Sequence, residues 1–134
     1  MNRLQRAWMF LRSARTENFL PIKISFYMSL LEALFLSQGT EISHKLGERT
    51  ALFLGGDTES KIKNYDIIKS AYDIRSKFMH GDILKKTNES LINISTNVDS
   101  LIRKILIKAI NEESNLFKLN QEDFEGYFKK ILFN

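Results

Sequence analysis

The chain has 134 residues, 43% of them hydrophobic, with 20 Lys and Arg against 16 Asp and Glu for a net charge of +4. That length gives one domain with a core of its own, and the apolar content excludes a disordered chain. The lack of cysteine excludes disulfides and thiolate metal sites and fits a cytoplasmic protein, and the mild positive charge is compatible with nucleic acid without requiring it.

Apolar residues recur at three and four positions along the chain, and no strand-like alternation of any length occurs, so the expected class is all-α. The opening stretch, MNRLQRAWMFLRSART, carries arginines at positions 3, 6, 12 and 15 that interrupt any signal-peptide core. It reads as a first helix over about Leu4 to Ala14. The second helix starts near Pro21, a residue suited to a first helical turn, and runs to about Ser37. Its stretch ISFYMSLLEALFL is too short to cross a bilayer and contains Glu32, so no membrane partner is expected. Gln38-Gly39-Thr40 closes this helix, with Thr40 as the N-cap of a third helix over about Glu41 to Leu54. Gly55-Gly56 ends the third helix. Asp57 or Thr58 caps a fourth, which runs to about Met79. Residues 81 to 88, GDILKKTN, form a loop. A fifth helix, about Glu89 to Ile110, and a sixth, about Gln121 to Leu132, complete an up-and-down bundle of five to six helices in a single domain, residues 1–134.

Three charged residues fall among apolar neighbours. The second helix is apolar on every side of Glu32, which places a carboxylate inside the protein, where it must be paired, hydrogen-bonded or protonated. Arg49 lies among Leu46, Leu52 and Phe53. It is either a surface arginine with its stem across apolar neighbours or the internal partner of Glu32. On the fourth helix, Arg75 is flanked by Ala71, Phe78, Ile67 and Ile74 on one side and by Ile68, Met79, Tyr72 and Tyr65 on the other. A buried guanidinium without a partner costs several kcal/mol, so this face must lead to a carboxylate, a partner subunit or an anion.

His80 stands five residues after Arg75 and points about 140° away from it in a straight helix. Gly81 follows and favours a left-handed helix end, where the ring is free to swing back. A histidine at a helix C-terminus moves protons near neutral pH, and a neighbouring arginine can hold a phosphate. Other chemistry finds no residue set. His44 has no assignable role. Two histidines without cysteine or clustered carboxylates give no metal ligands. Gly55-Gly56-Asp57-Thr58 lacks the strand and lysine of a phosphate loop. The fifth helix, with Arg103, Lys104 and Lys108, reads as an ordinary amphipathic helix.

The spacing Arg75-SKFM-His80 resembles the Rx4-6H motif of HEPN domains. The blocks LLEALFL (30–36), ISHKLGERTALFLGG (42–56) and AYDIRSKFMHGD (71–82) are similar, in the same order, to those of the Apea-like HEPN branch. The resemblance implies an all-α homodimer paired through the motif-bearing helix. It further implies a metal-independent ribonuclease, with no cofactor, whose composite site draws Arg and His from both protomers. Such domains act in toxin–antitoxin pairs, phage defence or RNA processing. By this resemblance His80 is the general acid/base and Arg75 holds the scissile phosphate. Tyr72, Asp73 and Ser76 support them, with Ser76 standing where nucleases of the class carry Asn, His or Asp. Lys77, Lys85 and Lys86 are then the RNA backbone contacts; otherwise they are a solvated surface. Some HEPN domains are non-catalytic dimers that bind RNA, a nucleotide or a partner protein, and the sequence leaves that alternative open. Apea-like proteins often carry a long N-terminal region that this chain lacks, so it is expected to stand alone or to work with an antitoxin or other separate partner chain.

Overall fold

The computed structural model describes residues 1–36 and 39–134. Its elements are α1 (Arg3–Thr16), α2 (Leu20–Phe35), α3 (Ile42–Leu54), α4 (Thr58–Met79), α5 (Asn88–Asn111), a 3-10 turn (Leu116–Lys118) and α6 (Gln121–Leu132). No strand occurs among the described residues.

Local chemistry explains most boundaries. The Asn2 side chain accepts from the Gln5 N–H at 2.8 Å while Gln5 Oε1 accepts from the Asn2 N–H at 2.9 Å, a reciprocal cap for α1. Asp57, Thr87 and Asn120 cap α4, α5 and α6 in the same sense, accepting from the N–H groups of Ser60, Ser90 and Asp123. Thr40 does not cap α3. The residue before that helix is Glu41, in left-handed conformation with φ of 57° and no side-chain cap bond. The cap position thus falls one residue beyond Thr40, and the helix starts at Ile42. Helix α2 ends at Phe35, with Leu36 already extended; the expected end at Ser37, and Gln38 in the closing turn, lie outside the described residues.

The broad face of α2 is the centre of the core. Ile24, Tyr27, Met28, Leu30, Leu31, Leu34 and Phe35 are all buried, against α1, α4 and α5. Each contributes roughly 1.5–3 kcal/mol of burial. The opposite stripe, Ser25, Ser29, Glu32 and Ala33, is only half-buried. The expectation of a helix apolar on every side is corrected accordingly. Serine and alanine are too small to call for cover, and the stripe becomes the floor of a groove between α1 and α4.

At the C-terminal end of α2 lies an aromatic cluster. Phe35 packs against Phe53 of α3 at 5.5 Å between ring centroids and against Phe128 of α6 at 5.7 Å, and Phe117 of the 3-10 turn meets Phe53 at 5.7 Å. These tilted and edge-on contacts dock α6 and the 3-10 turn, which bring Phe124, Phe128, Leu116 and Phe117 into the core. Helices α3 and α4 approach closely at Gly47, where a Cβ would lie 2.7 Å from the Tyr65 ring.

Much of the positive charge serves this architecture. Neither α2 nor α3 has a basic residue in its last turn. Cations from other helices meet their terminal carbonyls instead. Arg3 donates to the carbonyls of Ala33, Leu34 and Leu36 at 3.2, 3.3 and 2.7 Å. Arg49 donates to that of Phe35, and Lys108 to that of Phe53. Lys23 does the same at the end of α1, reaching the Ala14 carbonyl at 2.7 Å. A cation there satisfies an orphan acceptor and complements the helix dipole.

Candidate functional site

The buried stripe of α4 is Ile68, Ala71 and Ile74, facing the core. Arg75 follows Ile74 and sits at the margin of that stripe, not at its centre, with 22% of its side chain exposed. There the guanidinium forms an ion pair with Glu32 on α2, and the facing atoms Nη1 and Oε1 are shielded from water. The Tyr72 ring lies 5.6 Å below the guanidinium. Burial holds the Arg75 pKa below its ordinary value.

The expected Glu32–Arg49 pair does not form. Helix α3 reaches the end of α2 rather than its middle, so Arg49 meets the Phe35 carbonyl. Its acid is Glu125 of α6, which it contacts with two nitrogens, Nη1 at 3.1 Å from Oε1 and Nη2 against Oε2, with Phe128 beneath the guanidinium at 4.9 Å. Glu32 is bonded to a cation as expected, but it lies on the groove floor with 27% exposure and not in the protein's middle.

His80 is the C-cap of α4 and is exposed. Its N–H still bonds the Ser76 carbonyl at 3.0 Å, so the backbone follows the helix up to it. Gly81 then turns left-handed at φ of 74°, the Gly81 N–H meets the Phe78 carbonyl at 3.2 Å, and the Asp82 N–H meets that of Lys77 at 2.8 Å. This is a Schellman ending, which glycine adopts without a Cβ penalty. It fixes the backbone at His80 in helical register, so within one chain the imidazole and the Arg75 guanidinium leave the helix about 140° apart.

The other expected residues divide. Tyr72 supports Arg75 directly. Asp73 is turned to Lys77, 3.1 Å away along the exposed side of α4. Ser76 contributes its carbonyl to the His80 N–H. Lys85 and Lys86 are exposed in the loop that follows. None of the three lysines lines the groove that holds Arg75. That groove, about 600 Å³, has Arg3 and Arg6 of α1 on its wall and Glu32 and Ala33 on its floor. Burial, and next the like charge of Arg6, lower the Arg3 pKa. These two arginines were visible in the sequence as a cluster three positions apart, but nothing local showed that α1 would flank α4 across α2.

Two further polar clusters lie elsewhere. His44 stands between Tyr65 Oη, 2.9 Å from Nδ1, and Glu48, 3.2 Å from Nε2, on the exposed side of the α3–α4 pair. Asp99 of α5 accepts from Tyr27 Oη at 2.8 Å and from Arg103 Nε at 2.8 Å, with Arg15 at 3.4 Å, and so braces α1, α2 and α5. Burial, then the bond to Asp99, raise the Tyr27 pKa. Among the described residues, no group of three or more His, Cys, Asp or Glu is placed to hold a metal ion, and no helix is long and apolar enough to cross a membrane.

The arrangement thus offers a guanidinium held by a carboxylate and an aromatic ring, and an exposed imidazole at the end of the same helix. No family model, curated protein or solved structure matches the chain at a significant level.

Proposed function

We propose that the chain is a metal-independent endoribonuclease of HEPN type, acting as a homodimer on single-stranded RNA in a bacterial defence or toxin–antitoxin setting. The observation that carries the reading is the division of roles on α4: Arg75 held in a cationic groove, His80 exposed at the helix end. Pairing two copies of α4 in opposite directions would bring the arginine of one protomer toward the histidine of its partner, which a single chain cannot do.

In the reaction, the ribose 2′-oxygen attacks the adjacent phosphorus as its proton passes to an imidazole. The P–O5′ bond breaks and the 5′-oxygen takes up a proton, leaving a 2′,3′-cyclic phosphate and a 5′-hydroxyl. Arg75 steadies the charge on the phosphate oxygens. The substrate supplies the nucleophile, so DNA is not cut. A non-catalytic HEPN dimer that binds RNA, a nucleotide or a partner protein is the second reading. The Glu32–Arg75 pair favours it, because that carboxylate already occupies the guanidinium.

Digestion of total RNA in EDTA by wild type and His80→Ala separates the two. His80 is exposed and its removal leaves no buried group unpaired, so the variant keeps its helical spectrum. Cleavage by wild type and none by His80→Ala is the expected result, with sedimentation showing a dimer at micromolar concentration. Activity that survives in His80→Ala, or that EDTA removes, refutes the mechanism.

A further inference from the structure

Arg75 is held differently from Arg3 and Arg49. Those two are tied to backbone carbonyls at the end of α2, acceptors that the helix keeps in place. Arg75, among the described residues, meets side chains: the Glu32 carboxylate on one side and the Tyr72 ring, 5.6 Å away, on another. Tyr72 stands three residues before Arg75 on the same helix and stays with it. Glu32 comes from α2 and reaches the guanidinium on a flexible stem.

The setting gives that carboxylate room to leave. Glu32 stands on the floor of the 600 Å³ groove, with Ser29 and Ala33, two small side chains, beside it on α2 and Arg6 of α1 on the wall. The facing atoms Oε1 and Nη1 are shielded from water, yet 27% of the Glu32 and 22% of the Arg75 side chain are exposed. The contact is thus closed to solvent while both partners border an open cavity, the condition for exchange with an incoming anion. A guanidinium fork offers the same donors to a carboxylate and to a phosphate. Glu32 therefore takes the place that the proposed mechanism gives to the RNA phosphate.

We infer that Glu32 is an internal competitor for that phosphate, closing the Arg75 site in the free protein and giving way when RNA enters the groove. The inference rests on the RNA reading above and adds regulation to the same site. Tyr72 keeps the released guanidinium in position, so opening the site turns one side chain and moves no helix.

The test measures binding apart from cleavage. A short fluorescent single-stranded RNA of mixed sequence, fully 2′-O-methylated, is titrated in EDTA at fixed salt. Glu32→Gln is expected to tighten binding about tenfold, the gain on opening a site that is closed about nine-tenths of the time. Glu59→Gln removes the same charge about 24 Å away along α4 and is expected to match wild type. Arg75→Gln is expected to weaken binding, and Glu32→Gln added to it to bring no gain, because no guanidinium is left to release. Circular dichroism confirms that each variant is folded. An affinity in Glu32→Gln equal to or below that of wild type overturns the inference and makes Glu32 a structural partner that orients Arg75. A gain that persists beside Arg75→Gln also overturns it, since the groove's charge and not the guanidinium is then responsible. If wild type cleaves RNA while Glu32→Gln binds no better, only the competitor falls. If neither protein binds RNA and wild type does not cleave it, the competitor and the RNA reading fall together.

Discussion

The Glu32–Arg75 pair is the contact on which the site's geometry depends, and its strength can be measured. Replacing Glu32 with Ala leaves Arg75 Nη1, shielded from water, facing no acceptor. Breaking a fully buried pair costs about 3–5 kcal/mol. Here 27% of the Glu32 and 22% of the Arg75 side chain reach solvent, which lets water replace part of the lost interaction. The expected cost is therefore about 2 kcal/mol. Glu32→Gln keeps an oxygen for the guanidinium and loses only charge, at about 1 kcal/mol. Urea unfolding followed by circular dichroism reads both. With a slope of about 2 kcal/mol per molar urea, the midpoint falls by about 1 M for Ala and about 0.5 M for Gln. Arg75→Ala should cost as much as Glu32→Ala, and the double variant no more than either single, because the orphaned partner is then gone. If the two single losses add to within about 0.5 kcal/mol, or if Gln costs as much as Ala, the pair does not exist in solution. The same result bears on activity assays. Arg75→Ala removes a structural contact together with the phosphate ligand that the proposed mechanism requires, so His80→Ala is the cleaner test of that proposal.

Two other expectations follow from the frame around the site. Burial works against the Asp99 carboxylate, but the bond from Tyr27 and the charges of Arg15 and Arg103 outweigh it and hold its pKa below the usual range. A carboxylate depressed on folding contributes stability that is full above its unfolded pKa of about 3.9 and lost as pH falls through the folded value. Asp99→Asn should therefore lower stability at pH 7 and flatten its decline below about pH 4 in acid unfolding; a decline as steep as wild type would refute the assignment. Gly81→Ala places a Cβ on a residue at φ of 74°, in open space, so the cost is backbone strain alone. About 1 kcal/mol is expected in thermal unfolding, and an unchanged midpoint would mean that α4 does not end in this turn.

The sequence by itself determined the helices and put forward Arg75 and His80 as candidates. Period-three and period-four apolar spacing, the Gly55-Gly56 stop, Asp57 as cap and Gly81 as terminator are all local signals, and α4 and α6 have the bounds those signals imply. Arg75 and His80 were likewise legible from their types and spacing. Tertiary structure alone decided which charges meet. Glu32 takes Arg75 and not Arg49, because α2 turns that side to α4. Arg49 takes Glu125, because the phenylalanine cluster docks α6 over the end of α2. The helix-capping roles of Arg3 and Lys108, and the arginine wall of the groove, follow from the same placement. An ion pair's partner is set by how helices cross, over separations of tens of residues, and helical periodicity carries no information about those crossings. It reports which side of each helix is apolar; the packing of those sides against one another then fixes where every cation ends.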